Sequence, residues 1–164
     1  MKCRECRKAE LKNSHENYRY DECGLPDVTL VGVEIRRCPN CGFQMVALPR
    51  VEELHRKLAQ VVARHVARLS GPEIRFLRKY LGHSQKDLAG IMGVEPETAS
   101  NWERGVKPIG PTADRLLRMF VMRSKPVEEY PNEELANVAQ ADVPTPKLRL
   151  RPERGGWAEE ATAT

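Results

Sequence analysis

The chain reads as an α+β protein: a small β-rich N-terminal domain, then an all-α helix-turn-helix bundle, then a disordered C-terminal tail. Three observations lead there. All five cysteines fall within residues 1–48, around a run rich in β-branched residues. From Pro49 onward apolar residues recur at spacings of three and four, with recognisable helix starts and stops. After Arg123 that pattern gives way to Pro126, Pro131, Pro144, Pro146 and Pro152. The expected boundaries are a domain over 1–48, a linking helix over 49–69, the helix-turn-helix domain over 70–123 and the tail over 124–164.

Composition bounds the function. The 164 residues suffice for two small domains, and 5% aromatic residues argue against one large core. A domain of ~50–70 residues often needs a metal or a partner to stay folded. No stretch reaches the ~18 apolar residues of a membrane span. The N-terminus, MKCRECRKAE, lacks the apolar run of a secretory signal. A cytoplasmic location is therefore expected, where cysteines serve as metal ligands more often than as disulfides. The net charge of +4 is unevenly spread. Lys/Arg against Asp/Glu run eight to seven over 1–48, fourteen to eight over 49–123 and five to eight over 124–164. The positive charge sits in the helical region, as phosphate binding would require; a solvated helical surface accounts for it equally.

The elements follow in order. Val28-Thr29-Leu30-Val31-Gly32-Val33-Glu34-Ile35 favours a strand, and a shorter one around Tyr18–Tyr20 could pair with it. These residues alone include too few apolar side chains to hold a sheet together. Val51, Leu54, Leu58, Val61, Val62, His65, Val66 and Leu69 mark a helix starting near Pro49, with His65 read as packed rather than as a ligand. Ser70-x-x-Glu73 and Ser84-x-x-Asp87 read as capping boxes that start two further helices. Pro96 starts another and Gly105 ends it, and Gly110-Pro111 precedes a last helix. A short helix near Asn132–Ala139 is the only element expected in the tail.

Cys3-x-x-Cys6 and Cys38-x-x-Cys41 carry the strongest chemistry. Each CxxC folds into a tight knuckle that aims two sulfurs at one point, and two knuckles supply the four thiolates of a closed tetrahedral Zn²⁺ site. Closed coordination means a structural metal, one per chain, whose binding energy is folding energy. Two disulfides or a redox pair are the competing readings, but a redox CxxC wants a βαβ context. An iron–sulfur cluster uses the same donor set. Cys23 stands outside both pairs and reads as a loop thiol.

The second signal runs from Gln85 to Trp102. Ala89 is small where helices cross, Gly93 falls at a turn, and Ala99 and Trp102 face inward. Glu97, Ser100 and Asn101 then face outward, where the second helix of a DNA-binding helix-turn-helix meets base edges. Asn can bond adenine in bidentate fashion and Glu can accept from cytosine. Ser84, Gln85, Lys86, Arg104 and Lys107 are placed to hold phosphates. Each has a bland counterpart: Glu97 favours the helix dipole, and Asn101 is an ordinary surface residue. Glu95 and Glu97 also put negative charge where a duplex would approach.

Ser84-Gln85-Lys86-Asp87-Leu88-Ala89, Gly93-Val94 and Ser100-Asn101-Trp102-Glu103-Arg104-Gly105 resemble the Xre/Cro-type helix-turn-helix family over about 55 residues, with Ala99 smaller than the usual branched residue. The order of the whole chain resembles the MqsA antitoxins with their YgiT-type zinc finger. Gly24-Leu25-Pro26-Asp27-Val28-Thr29-Leu30 and Arg37-Cys38-Pro39-Asn40-Cys41-Gly42 are similar to that finger, and the likeness spans roughly residues 1–123. It implies a structural zinc, a homodimer through the C-terminal domain, operator binding at an inverted repeat with Glu97 and Asn101 as base readers, and capture of a toxin by the N-terminal domain. The long segment after Arg123 departs from the compact antitoxin pattern.

Two functions compete. One is a sequence-specific regulator that represses its own operon as an antitoxin; the other is a protein-interaction module, or a plain regulator without a toxin. No nucleophile, base and orienter are grouped in the motifs, so an enzyme is not expected.

Overall fold

The computed structural model describes residues 1–123 and 144–160. They form two compact units. One contains residues 1–21, 27–54 and 147–160, the other residues 22–26, 55–123 and 144–146. The α+β class holds, with strands confined to the first unit and helices dominating the second.

The first unit is a five-stranded sheet. β1 (Lys12–Arg19) pairs antiparallel with β2 (Val28–Arg37) along almost its whole length. The other edge of β2 is shared. β3 (Gln44–Ala47) runs antiparallel along Glu34–Arg37, and β4 (Leu148–Glu153) runs parallel along Val28–Leu30. β5 (Gly156–Glu159) closes a hairpin on β4.

β2 explains how one face of this sheet stays apolar. Its buried residues are Val28, Leu30, Val33 and Ile35, so strict alternation skips a position. The skip is a β-bulge: Glu16 faces Val33, but Tyr18 faces Leu30. Gly32 sits there at φ 65°, a left-handed conformation that costs glycine little. Both halves of the strand therefore aim their large side chains at one core. Without the bulge, half of them would turn to solvent.

The expectation of a disordered tail over 124–164 fails for residues 148–159, which form β4 and β5. Leu148 and Leu150 alternate with Arg149 and Arg151, a period-2 pattern, and the turn at Arg154-Gly155 lets the chain double back. Leu148, Leu150 and Trp157 are all buried. Burial of each such side chain contributes about 1.5–3 kcal/mol, which locally weak sequence could not reveal. The helix expected near Asn132–Ala139 lies outside the described residues. β1 is longer than the strand expected at Tyr18–Tyr20.

The second unit contains α2 (Gly71–Tyr80), α3 (Gln85–Met92), α4 (Pro96–Glu103) and α5 (Pro111–Arg123), preceded by α1 (Val51–Arg64), whose first turn belongs to the first unit. Both capping boxes form. Glu73 accepts from the Ser70 backbone N–H, and Asp87 accepts from that of Ser84, each at 2.8–2.9 Å. The linking helix stops at Arg64 rather than continuing to 69. Arg118, on α5 and fully buried, is the reason. Its guanidinium donates to the carbonyls of Ala63 (3.1 Å), His65 (2.6 Å) and Ala67 (2.6 Å), so carbonyls at and beyond the helix end find partners without further helix. Asp114 balances its charge at 2.5 Å and also accepts from the Leu69 N–H.

Removing one member of this buried pair leaves an uncompensated charge. Arg118→Met should lower the stability of the helical unit by about 3–5 kcal/mol in urea unfolding followed by helical circular dichroism. A loss under 1 kcal/mol would mean that water or another cation takes over the site.

Candidate metal centre and nucleic-acid interface

The two CxxC knuckles are built alike. In the first, the Cys3 carbonyl accepts from the Arg7 N–H (3.0 Å) and the Cys3 N–H donates to Ala9 (2.9 Å). In the second, the Cys38 carbonyl accepts from the Gly42 N–H (3.0 Å) and the Cys38 N–H donates to Phe43 (2.8 Å). The residue after the second cysteine is left-handed in both, Arg7 at φ 54° and Gly42 at φ 73°. Arg4 lies 4.9 Å over the Phe43 ring, joining one knuckle to the other.

The knuckles bring all four sulfurs within 4.8 Å of one another. Cys3 and Cys41 are 3.7 Å apart, Cys6 and Cys38 3.5 Å. Tetrahedral coordination at about 2.3 Å places sulfurs about 3.8 Å apart, so the cluster fits the ion. No disulfide forms among the described residues, and Cys23 lies in a short 3₁₀ turn (Asp21–Cys23), outside the cluster. The charge of four close sulfurs is visible in their acidity. The Lys8 backbone N–H draws the Cys6 thiol down to about 6. At Cys41, an exposed residue, the Phe43 N–H also favours the thiolate, but partial desolvation and the neighbouring sulfurs of Cys38, Cys3 and Cys6 outweigh it and push the thiol up to about 12. A divalent cation removes that repulsion. The four cysteines form a site for one structural zinc, which when bound cross-links the start of the chain to the end of β2.

The helix-turn-helix is held by Glu103. Its side chain is fully buried at the end of α4 and accepts from Arg78 and Arg75 of α2 and from Gln85 of α3 (2.8 Å). Burial alone would raise this carboxyl, but Arg78, Gln85 and Arg75 outweigh it and hold it below the usual glutamate range. Helices α2 and α4 also approach closely: a Cβ on Gly71 would lie 2.4 Å from the Glu103 carbonyl oxygen. The turn between α3 and α4 begins at Gly93, left-handed at φ 66°.

On this frame Glu97 is exposed and Ser100 and Asn101 are half-buried, all on the first two turns of α4. The Asn101 side-chain oxygen accepts from Arg104 at 2.6 Å. Ser84, Lys86, Arg104 and Lys107 are exposed. The Gln85 side chain is half-buried at the start of α3, and its amide donates to Glu103 at 2.8 Å. Trp102 is buried, as a core residue should be. His65 lies just beyond the end of α1 with its side chain largely covered and bonded to Glu73 at 2.8 Å.

Comparison with known families decides the identity. The family model described as the antitoxin component of the bacterial toxin-antitoxin system, MqsA, matches residues 1–129. The chain belongs to the MqsA antitoxin family. No curated protein matches it. The membership makes it an antitoxin and implies a cognate toxin. Among its described residues no helix is long and apolar enough to cross a membrane.

Three features of this MqsA-family antitoxin escaped the sequence reading. Arg7 needs a left-handed conformation where glycine would be expected, and nothing local announces it. Glu103 carried only a family resemblance, while its role depends on two arginines on another helix. Arg118 belongs to no motif, and its role depends on carbonyls more than fifty residues earlier in the chain.

Arg7 and Gly42 make a matched test. Arg7→Gly should raise the stability of the first unit by about 1 kcal/mol, and Gly42→Ala, which meets no neighbouring atom, should lower it by about the same. Thermal unfolding of both variants with zinc present checks the signs. Acid gives a second test in the helical unit. Burial would raise Glu73 as well, but His65 and Ser70 hold it low. Glu73 and Glu103 thus titrate lower folded than unfolded, so the stability they add is present above their ordinary value of 4.5 and lost as pH falls below it. Glu103→Gln should flatten the acid limb of a stability-against-pH curve; an unchanged limb would assign acid unfolding to other groups.

Proposed function

We propose that this antitoxin is a sequence-specific, homodimeric DNA-binding repressor of the operon encoding it and its toxin, and that it captures the toxin through the zinc-binding unit. It acts by binding and not by catalysis. The observation that carries the DNA reading is the first two turns of α4. Glu97, Ser100 and Asn101 project from a helix that Glu103 and Gly71 fix rigidly against α2 and α3. Rigid support is what base recognition by a few side chains demands.

The roles divide as follows. Asn101 reads a base edge, and its bond with Arg104 keeps both side chains ordered before DNA arrives. Arg104, Lys107, Lys86 and Ser84 hold phosphates. Gln85 contributes through its backbone N–H at the start of α3, since its side chain serves Glu103. Glu97 either accepts from cytosine or only complements the helix dipole.

Selection from random duplexes tests this reading. The wild type should enrich an inverted repeat whose half-sites lie ~34–36 Å apart. Asn101→Ala should cost ~1–3 kcal/mol per half-site and relax one position. Lys107→Ala should weaken all sequences alike and flatten the salt dependence. Glu97→Gln shifts the preferred base if Glu97 reads cytosine, and raises affinity for every duplex if it only repels phosphate. Unchanged preference and affinity in Asn101→Ala would place recognition on another face. Cys38→Ser separates the two halves of the proposal: toxin capture should be lost and duplex binding retained.

A further inference from the structure

The residues up to 48 contain too few apolar side chains to hold a sheet, which left the metal as the expected source of order in the first unit. The fold supplies a second source. β2 ends where Cys38 begins, and it starts at Val28–Leu30, where β4 pairs with it. At about 3.3 Å per residue, Leu30 lies about 26 Å along the strand from Cys38. The two ends are thus held by different means.

The hairpin end uses no metal ligand. Leu148, Leu150 and Trp157 are buried on the same face as Val28 and Leu30. The Trp157 indole N–H donates to the Pro49 carbonyl at 3.1 Å. The Arg50 guanidinium donates to the carbonyls of Glu153 (2.6 Å), Arg154 (3.4 Å) and Gly156 (3.4 Å), cupping the hairpin turn. Arg50 is itself left-handed at φ 47°, a strained backbone that persists only where its surroundings fix it. The hairpin therefore clamps both the first residues of β2 and the junction between β3 and α1. It also lies beyond residue 129, where the match to the antitoxin family ends.

We propose that the C-terminal hairpin is a metal-independent clamp, so that loss of zinc opens the first unit only at its cysteine end. The knuckles, residues 2–11 and 38–43, come free, while Val28–Leu30, Pro49–Arg50 and residues 148–159 stay folded. The metal then works as a partial switch: it displays or withdraws one end of the unit without unfolding the other. The inference rests on the structural-zinc site and is independent of toxin and DNA binding.

Hydrogen exchange of the full chain, read peptide by peptide by mass spectrometry, tests it. Zinc content is measured first, then exchange is compared before and after chelation under reducing conditions. Chelation should speed exchange in 2–11 and 38–43 by about 100-fold, and change 28–30 and 148–159 by less than about tenfold. Equal acceleration in both regions would overturn the proposal. Leu150→Asp, in the full chain, should expose 148–159 while the zinc-loaded knuckles stay protected; chelation should then release all of β2. If 148–159 stays as protected in that variant as in the wild type, the clamp is elsewhere. Should Leu150→Asp fail to fold, Arg50→Ala takes its place, with faster exchange expected at 153–157 and an unchanged rate overturning the clamp. A purified protein without zinc but with slow exchange throughout would refute the structural-zinc reading, and the proposed opening of the cysteine end with it.

Discussion

A β-strand offers two edges of hydrogen-bonding groups, and the first unit depends on how β2 fills both. One edge goes to β1. The other is divided between a neighbour in sequence, β3, and a distant segment, β4. This division works only because the Gly32 bulge resets the side-chain phase, so that residues beside β3 and residues beside β4 face one core. Cys38 is placed by the same strand, since it follows Arg37 directly. The metal site, the core and the hairpin are therefore three attachments to one ten-residue element.

The helical unit is organised on a different principle. Its interior contains Asp114, Arg118, Glu73 and Glu103, all buried. Taking charges out of water is expensive, and each is offset by several directed partners rather than by a single opposite charge. Arg118 serves carbonyls that no helix can satisfy, and Glu103 joins three helices at one carboxylate. Such groups stabilise less than an apolar core would, but they tolerate few alternative arrangements. The angle between α2, α3 and α4 is fixed by that intolerance.

What could be read from sequence was what depends on near neighbours. The cysteine spacing, both capping boxes and the prolines and glycines at helix ends each act within four or five residues, and each appears in the structure. The end of α1 was misjudged because Ala67 and Leu69 are buried outside the helix, where Arg118 and Asp114 hold the backbone. The hairpin was missed because Leu148 and Leu150 acquire meaning only beside Val28 and Leu30, more than a hundred residues earlier. Gln85 shows the same limit. Its place at a helix start is legible locally, but its bond to Glu103, eighteen residues away, is not.

The pairing of β4 with β2 has a consequence during synthesis. The ribosome makes β2 first and reaches Leu148 only after 110 further residues. At about 5–20 residues per second, the nascent chain spends roughly 5–20 s with that edge of β2 bare. Through this interval the emerging N-terminal segment has β1, β3 and whatever zinc its knuckles can bind, but not its full sheet. A late-made hairpin thus completes a sheet begun more than a hundred residues earlier, so maturation of this unit runs against the direction of translation.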